Sequence, residues 1–84
     1  MLFYVYMLKT VKPGFAKTYV GYTNDIKKRL AKHNNNKGAK STKGYKWILI
    51  YKKRFKNKSK AMSFEYKLKK DRNGRKLILK NYYK

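Results

Sequence analysis

The chain has no cysteine. That removes any disulfide framework and any thiolate zinc site, and it leaves the redox compartment open. A single histidine, His33, excludes a multi-histidine metal centre. No apolar run approaches the roughly 20 residues that cross a bilayer, and the apolar start is too short and too aromatic for a secretory leader. No basic helix carries a Trp/Phe/Leu face long enough to lie in a membrane interface. The expectation is a soluble protein of the cytoplasm, nucleoid or nucleus. Acidic side chains are nearly missing as well: Asp and Glu number three against 25 Lys and Arg, a formal net charge of +22. Such a chain repels itself without a polyanionic partner, and nucleic acid is the usual one.

High charge alone would also suit a disordered chain. Here 42% of the residues are hydrophobic and 17% aromatic, which is enough to fold. The 84 residues make one expected domain, residues 1–84. A domain of this size buries only about 60% of the surface its unfolded chain exposes, so the core must be compact.

The organising stretch is residues 3–21: FYVYML, a turn signal at Lys12-Pro13-Gly14, then TYVGYT. Residues 2–8 alternate Leu2/Tyr4/Tyr6/Leu8 with Phe3/Val5/Met7, so both sets are apolar or aromatic. That pattern predicts a strand near the centre of a sheet. Gly21, between strand-forming Val20 and Tyr22, is costly unless something approaches the backbone closely there. A helix is expected over about 25–33, with cap chemistry at Thr23-Asn24-Asp25 and an apolar stripe of Ile26 and Leu30. At about 100° per residue, Arg29 and His33 project within roughly 60° of that stripe, one turn apart and toward the sheet.

Residues 34–45 form a polar, glycine-containing loop suited to phosphate contact or to plain connection. Residues 46–55 predict a strand with Trp47, Leu49 and Tyr51 on one side and Ile48 and Ile50 on the other. A second helix is expected over about 59–70, capped by Ser59 and buried through Ala61, Phe64 and Leu68. Asn73-Gly74 is a breaker signal, and Leu77-Ile78-Leu79 with Tyr82 and Tyr83 suggests a last short helix on the sheet.

Glu65 is the sharpest single feature. It is the only glutamate in the chain, and it lies beside Phe64, close to the buried stripe. A carboxylate there needs a cation, either an arginine or a metal. The alternative is a pair with Lys69 one turn along the helix edge.

Taken in order, several segments resemble the GIY-YIG endonuclease superfamily, in the branch that holds small single-domain bacterial and viral members (UPF0213-like) together with structure-specific nucleases. These are Tyr4-Val5-Tyr6, Tyr19-Val20-Gly21, Thr23-Asn24-Asp25…Arg29-Leu30…His33-Asn34, Gly38-Ala39-Lys40-Ser41-Thr42, Trp47, Asn57-Lys58-Ser59 and Glu65. Only the final tyrosine of the first tripeptide is matched in kind, and valine replaces isoleucine in the second.

The resemblance implies an α+β fold, a small three-stranded antiparallel sheet flanked by helices. It implies an active site of Tyr6, Tyr19, Arg29 and His33, with Glu65 holding one divalent metal, Mg²⁺ or Mn²⁺. Arg29 would grip non-bridging phosphate oxygens. Tyr6, made more acidic by lysines and metal, would take a proton from water. His33 would orient the water or act as an alternate base, and Tyr19 would bond water or phosphate. The partner is DNA, held through its backbone by Lys37, Lys40, Lys43, Lys52 and Lys53 with Gly21, and chosen for branched or flapped shape in repair or recombination. The rival expectation is a non-catalytic basic nucleic-acid-binding module.

Overall fold

In the computed structural model, which describes residues 1–11 and 16–83, three strands form an antiparallel sheet. The expected turn at Lys12-Pro13-Gly14 lies outside the described residues. Strand β1 spans Phe3–Thr10, β2 Thr18–Thr23 and β3 Trp47–Phe55, in the spatial order β2-β1-β3. β1 is central, and every residue from Val5 to Thr10 is buried. Its two apolar faces explain this, because each is covered by different helices. Helix α1 (Ile26–Asn34) covers one face, where Tyr6, Leu8 and Trp47 pack with Tyr19, Ile26, Leu30 and Leu49. Helices α2 (Lys58–Lys70) and α3 (Arg72–Tyr82) cover the other, where Val5, Met7 and Val20 pack with Ala61, Phe64, Leu68 and Ile78. The architecture is α+β, as expected.

The even alternation expected along β3 does not hold. Met7 pairs with Tyr51 but Leu8 pairs with Leu49, so a bulge leaves Ile50 as the extra residue. One extra residue exchanges the faces beyond it. Trp47 and Leu49 stay on the α1 face, whereas Tyr51 and Phe55 join the α2 cluster.

The helix starts follow side-chain caps. Asp25 caps α1, accepting from the backbone N–H of Lys28 at 3.1 Å. The cap of α2 is Asn57 rather than Ser59: its carboxamide oxygen accepts from Lys60 N–H at 3.2 Å, which moves Ser59 inside the first turn. Asn73-Gly74 does not break the chain either. Asp71 caps α3 by accepting from Gly74 N–H at 2.9 Å, and a side chain on Gly74 would collide with that carboxylate. The glycine serves the cap. At the far end of α3 the buried Lys9 ammonium donates to Thr10 O at 2.9 Å and lies 5.7 and 5.3 Å from the ring centres of Tyr82 and Tyr83. Among the described residues no helix is long and apolar enough to cross a membrane.

Candidate active site

Four of the five residues named from sequence converge on the α1 face of the sheet. Tyr6 comes from the central strand, Tyr19 from the edge strand, and Arg29 and His33 from successive turns of α1. The Tyr6 hydroxyl lies 2.8 Å from His33 Nε2, and Arg29 Nε–H donates to the same oxygen at 3.3 Å. The Tyr19 ring leans on the imidazole with centroids 4.9 Å apart, and on the Tyr6 ring at 6.3 Å.

Gly21 explains how the Tyr6 hydroxyl reaches this place. The two residues are cross-strand partners, so their side chains share a face. A Cβ at position 21 would stand 2.5 Å from the Tyr6 oxygen and 2.7 Å from Cζ. The bare backbone that the sequence marks as a site of close approach is approached by Tyr6 itself.

Burial sets the electrostatics. His33 is fully buried and Tyr6 is 1% exposed. Burial, and then the Arg29 charge, lower the His33 pKa below its ordinary 6.5. The Tyr6 hydroxyl is pushed up from 10.0 to about 12, chiefly by burial, with the Arg29 hydrogen bond pulling the other way. This corrects the expectation of a more acidic Tyr6. The hydroxyl is held in a dry pocket by Arg29 and His33, where desolvation outweighs the nearby positive charge. Arg29, in turn, is held more firmly protonated, chiefly by its hydrogen bond to Tyr6.

The loop after α1 also buttresses His33 through Thr42, a role that sequence reasoning missed. A single 3₁₀ turn, Lys40–Thr42, presents the buried Thr42 hydroxyl 3.0 Å from His33 Nδ1. A side chain on Gly38 would strike the imidazole. Trp47 Nε1–H donates to Thr42 O at 3.0 Å, and Asn34 Oδ1 accepts from Trp47 N–H at 2.6 Å, tying loop and helix end to β3. The signal was present in the Gly38–Thr42 block, but nothing in its polar composition separates an inward threonine from a solvated one.

Glu65 approaches from α2. Its side chain is 17% exposed, it is among the charges that raise the Tyr6 pKa, and its Oε1 lies 3.6 Å from Lys69 Nζ. Lys69 itself lies 6.0 Å from the Tyr19 ring centre. The alternative pairing expected from sequence is therefore present. Among the described residues no group of three or more His, Cys, Asp or Glu could cage a metal. The donor set fits one kind of ion, a Mg²⁺ or Mn²⁺ that keeps most of its waters and takes one carboxylate plus substrate oxygens. Glu65 would hold it, in competition with Lys69.

The predicted phosphate-contacting lysines divide. Lys37, Lys40 and Lys43 are exposed on the loop that cradles His33. Lys52 is the cross-strand partner of Tyr6 and shares its face, whereas Lys53 is partnered by Val5 on the opposite face. The Lys53 ammonium lies 4.8 Å from the Phe64 ring centre. A basic surface not singled out from sequence runs the other way from Tyr19. One groove of about 390 Å³ is lined by Thr18, Tyr19, Ser41, Lys69 and Arg75. It adjoins a second of about 320 Å³ lined by Arg72, Arg75, Lys76 and Leu79, with Thr18 and Arg75 shared.

The GIY-YIG catalytic domain family matches residues 2–77 of the chain. A UPF0213 protein of Staphylococcus saprophyticus is 45% identical over 67 residues, covering 79% of this chain and 78% of that protein. A UPF0213 protein of Clostridium perfringens is 43% identical over 77 residues, covering 90% and 80%. The solution structure of a UPF0213 protein from Bacillus halodurans superposes with a TM-score of 0.54 at 36% identity, covering 95% of this chain and 84% of that one.

Proposed function

Because the chain belongs to the GIY-YIG catalytic domain family, a family of nucleases, we propose that it is a divalent-metal-dependent endonuclease that hydrolyses DNA phosphodiester bonds. Branched or flapped DNA met in repair or recombination is the substrate class. The observation that carries this reading is the Arg29–Tyr6–His33 hydrogen-bond chain at the edge of a basic groove.

Each group has work that its surroundings suit. Arg29 donates Nε–H to Tyr6 and also interacts with the Tyr19 hydroxyl, and its planar guanidinium suits a fork onto non-bridging phosphate oxygens. Tyr6, with a pKa near 12, is not a phenolate at neutral pH. It acts as a relay: as its oxygen takes a proton from the attacking water, its own proton passes to His33 Nε2, 2.8 Å away. His33 is neutral because burial disfavours its cation, which leaves its Nε2 lone pair free to accept although the same burial weakens it as a base. The attacking water would enter beside Arg29 and Tyr19, the half-buried side chains next to Tyr6. Glu65 would hold the divalent ion, which would supply stabilisation of the charge that develops on the phosphate and the leaving oxygen.

DNA is held by its backbone. Lys37, Lys40, Lys43 and Lys52 lie on the loop and sheet face of the site, and Lys69, Arg72, Arg75 and Lys76 line the groove beyond Tyr19. The sequence carries no recognition-helix or zinc-finger pattern, which favours selection by shape.

The Glu65–Lys69 pair is the observation that favours the second reading, a basic nucleic-acid-binding module that does not cut. Cleavage of labelled branched, flapped and linear DNA with Mg²⁺ or Mn²⁺, by wild type and Glu65→Ala, separates the two. Cutting that chelator abolishes and Glu65→Ala lacks supports the nuclease. Tight binding without cutting under either metal supports the module.

A further inference from the structure

The donors and acceptors around His33 can be satisfied in one way, and it starts at Thr42. The Thr42 hydroxyl has one proton. It lies 2.7 Å from the carbonyl oxygen of Ala39, which can only accept, so the proton is committed there. The Thr42 oxygen is then the acceptor at its other contact, 3.0 Å from His33 Nδ1, and Nδ1 carries the ring hydrogen. A neutral imidazole has one N–H, so Nε2 presents its lone pair to the Tyr6 hydroxyl, 2.8 Å away. Tyr6 donates to it and accepts from Arg29. A cationic His33 would leave the Tyr6 proton without a partner and add a second buried charge beside Arg29.

From this geometry we infer that Thr42 is a positioning residue: it fixes His33 in the Nδ1–H tautomer, so that Nε2 is the acceptor for the Tyr6 proton. The backbone is built for it. Thr42 N–H also donates to Ala39 O, at 3.0 Å, so the turn holds both ends of the hydroxyl's bond. Trp47 fixes the Thr42 carbonyl, and Gly38 leaves room for the ring. Thr42 is fully buried, so no nucleic acid contacts it directly. The inference rests on the nuclease reading for its functional consequence but not for its structural one.

The test joins a spectroscopic and a kinetic readout on the full chain. Imidazole ¹⁵N spectra of the wild type should show the Nδ1–H tautomer. Thr42→Val, of similar shape without the hydroxyl, should lose it to a mixture, and Thr42→Ser should restore it. With flapped DNA and Mg²⁺, Thr42→Val should lose roughly 10–100-fold in kcat, by analogy with the loss when partners that orient metal-bound histidines are removed. KM should stay near the wild-type value, and Thr42→Ser should recover the rate. A wild-type Nε2–H tautomer, or one unchanged in Thr42→Val, overturns the inference, and the wild-type spectrum decides alone should Thr42→Val not fold. The expected tautomer in a protein that cuts no DNA would refute the nuclease reading while leaving Thr42's hold on His33 established.

Discussion

The Tyr6 hydroxyl and His33 Nε2 stand 2.8 Å apart, joined across 27 residues of sequence and closed off from water on nearly every side. A hydrogen bond in a dry pocket is electrostatically stronger than the same bond in water, and leaving either partner unpaired is correspondingly costly. The pair is thus a structural anchor between β1 and α1 as well as the proposed path for a proton, and the pH dependence of stability should report the first role.

Stability should fall on both sides of neutrality. The folded pKa of His33 is depressed below 6.5, so between the two values the unfolded chain binds more protons. The His33 contribution is complete above about pH 6.5 and is lost as pH drops below it. Tyr6 behaves oppositely at the other end: its folded pKa of about 12 exceeds the ordinary 10.0. The unfolded chain therefore ionises first, and stability declines as pH rises from 10 toward 12. Denaturant unfolding across pH 5–11 measures both limbs, and Tyr6→Phe should remove the alkaline one.

Gly21→Ala should disable the site without replacing a polar residue. The new methyl would meet Tyr6 Cζ at 2.7 Å, and the tyrosine would have to move away from His33. Overpacking of this kind costs about 1–3 kcal/mol. A displacement of about 1 Å at a reacting group can cost on the order of 100-fold in rate. Thermal unfolding and single-turnover cleavage would give the two numbers, and an unaltered rate would mean that the close fit of Tyr6 over Gly21 is not required.

The basic surfaces should differ in what they contribute to binding. Neutralising Arg72 and Lys76, which line the groove beyond Tyr19, should flatten the plot of log affinity against log salt by about 0.9 for each phosphate no longer neutralised. Lys53→Ala, on the opposite face of the sheet from Tyr6, should leave that slope unchanged. Fluorescence anisotropy with labelled flapped DNA at several salt concentrations would compare them.

Much of this site was legible because periodicity carries direction. Alternation along β1 and the spacing of Ile26, Arg29, Leu30 and His33 place the catalytic candidates on facing surfaces, and they do meet. The features that were not legible depend on interactions without a period. The bulge opposite Met7 and Leu8 exchanges the faces of β3 through one unpaired residue, and no composition signal marks Ile50 as that residue. Asn57 and Ser59 are both good caps, and only the backbone path selects the first. Asn73-Gly74 reads as a breaker until Asp71 is seen capping the turn it occupies. Thr42 acts through a loop whose polar composition suits solvent equally well, so its inward hydroxyl appears only in three dimensions. The Tyr6 hydroxyl is less acidic than the lysine-rich sequence suggests because net charge is visible in a sequence and burial depth is not.

The central claim is that Tyr6 relays a proton during DNA hydrolysis, and Tyr6→Phe tests it most directly because it removes one oxygen from a packed ring. Single-turnover cleavage of flapped DNA with Mg²⁺ should fall roughly 100- to 10,000-fold, the usual worth of a general acid–base group, while DNA affinity stays within about twofold. A Tyr6→Phe protein that cuts at the wild-type rate would contradict the account.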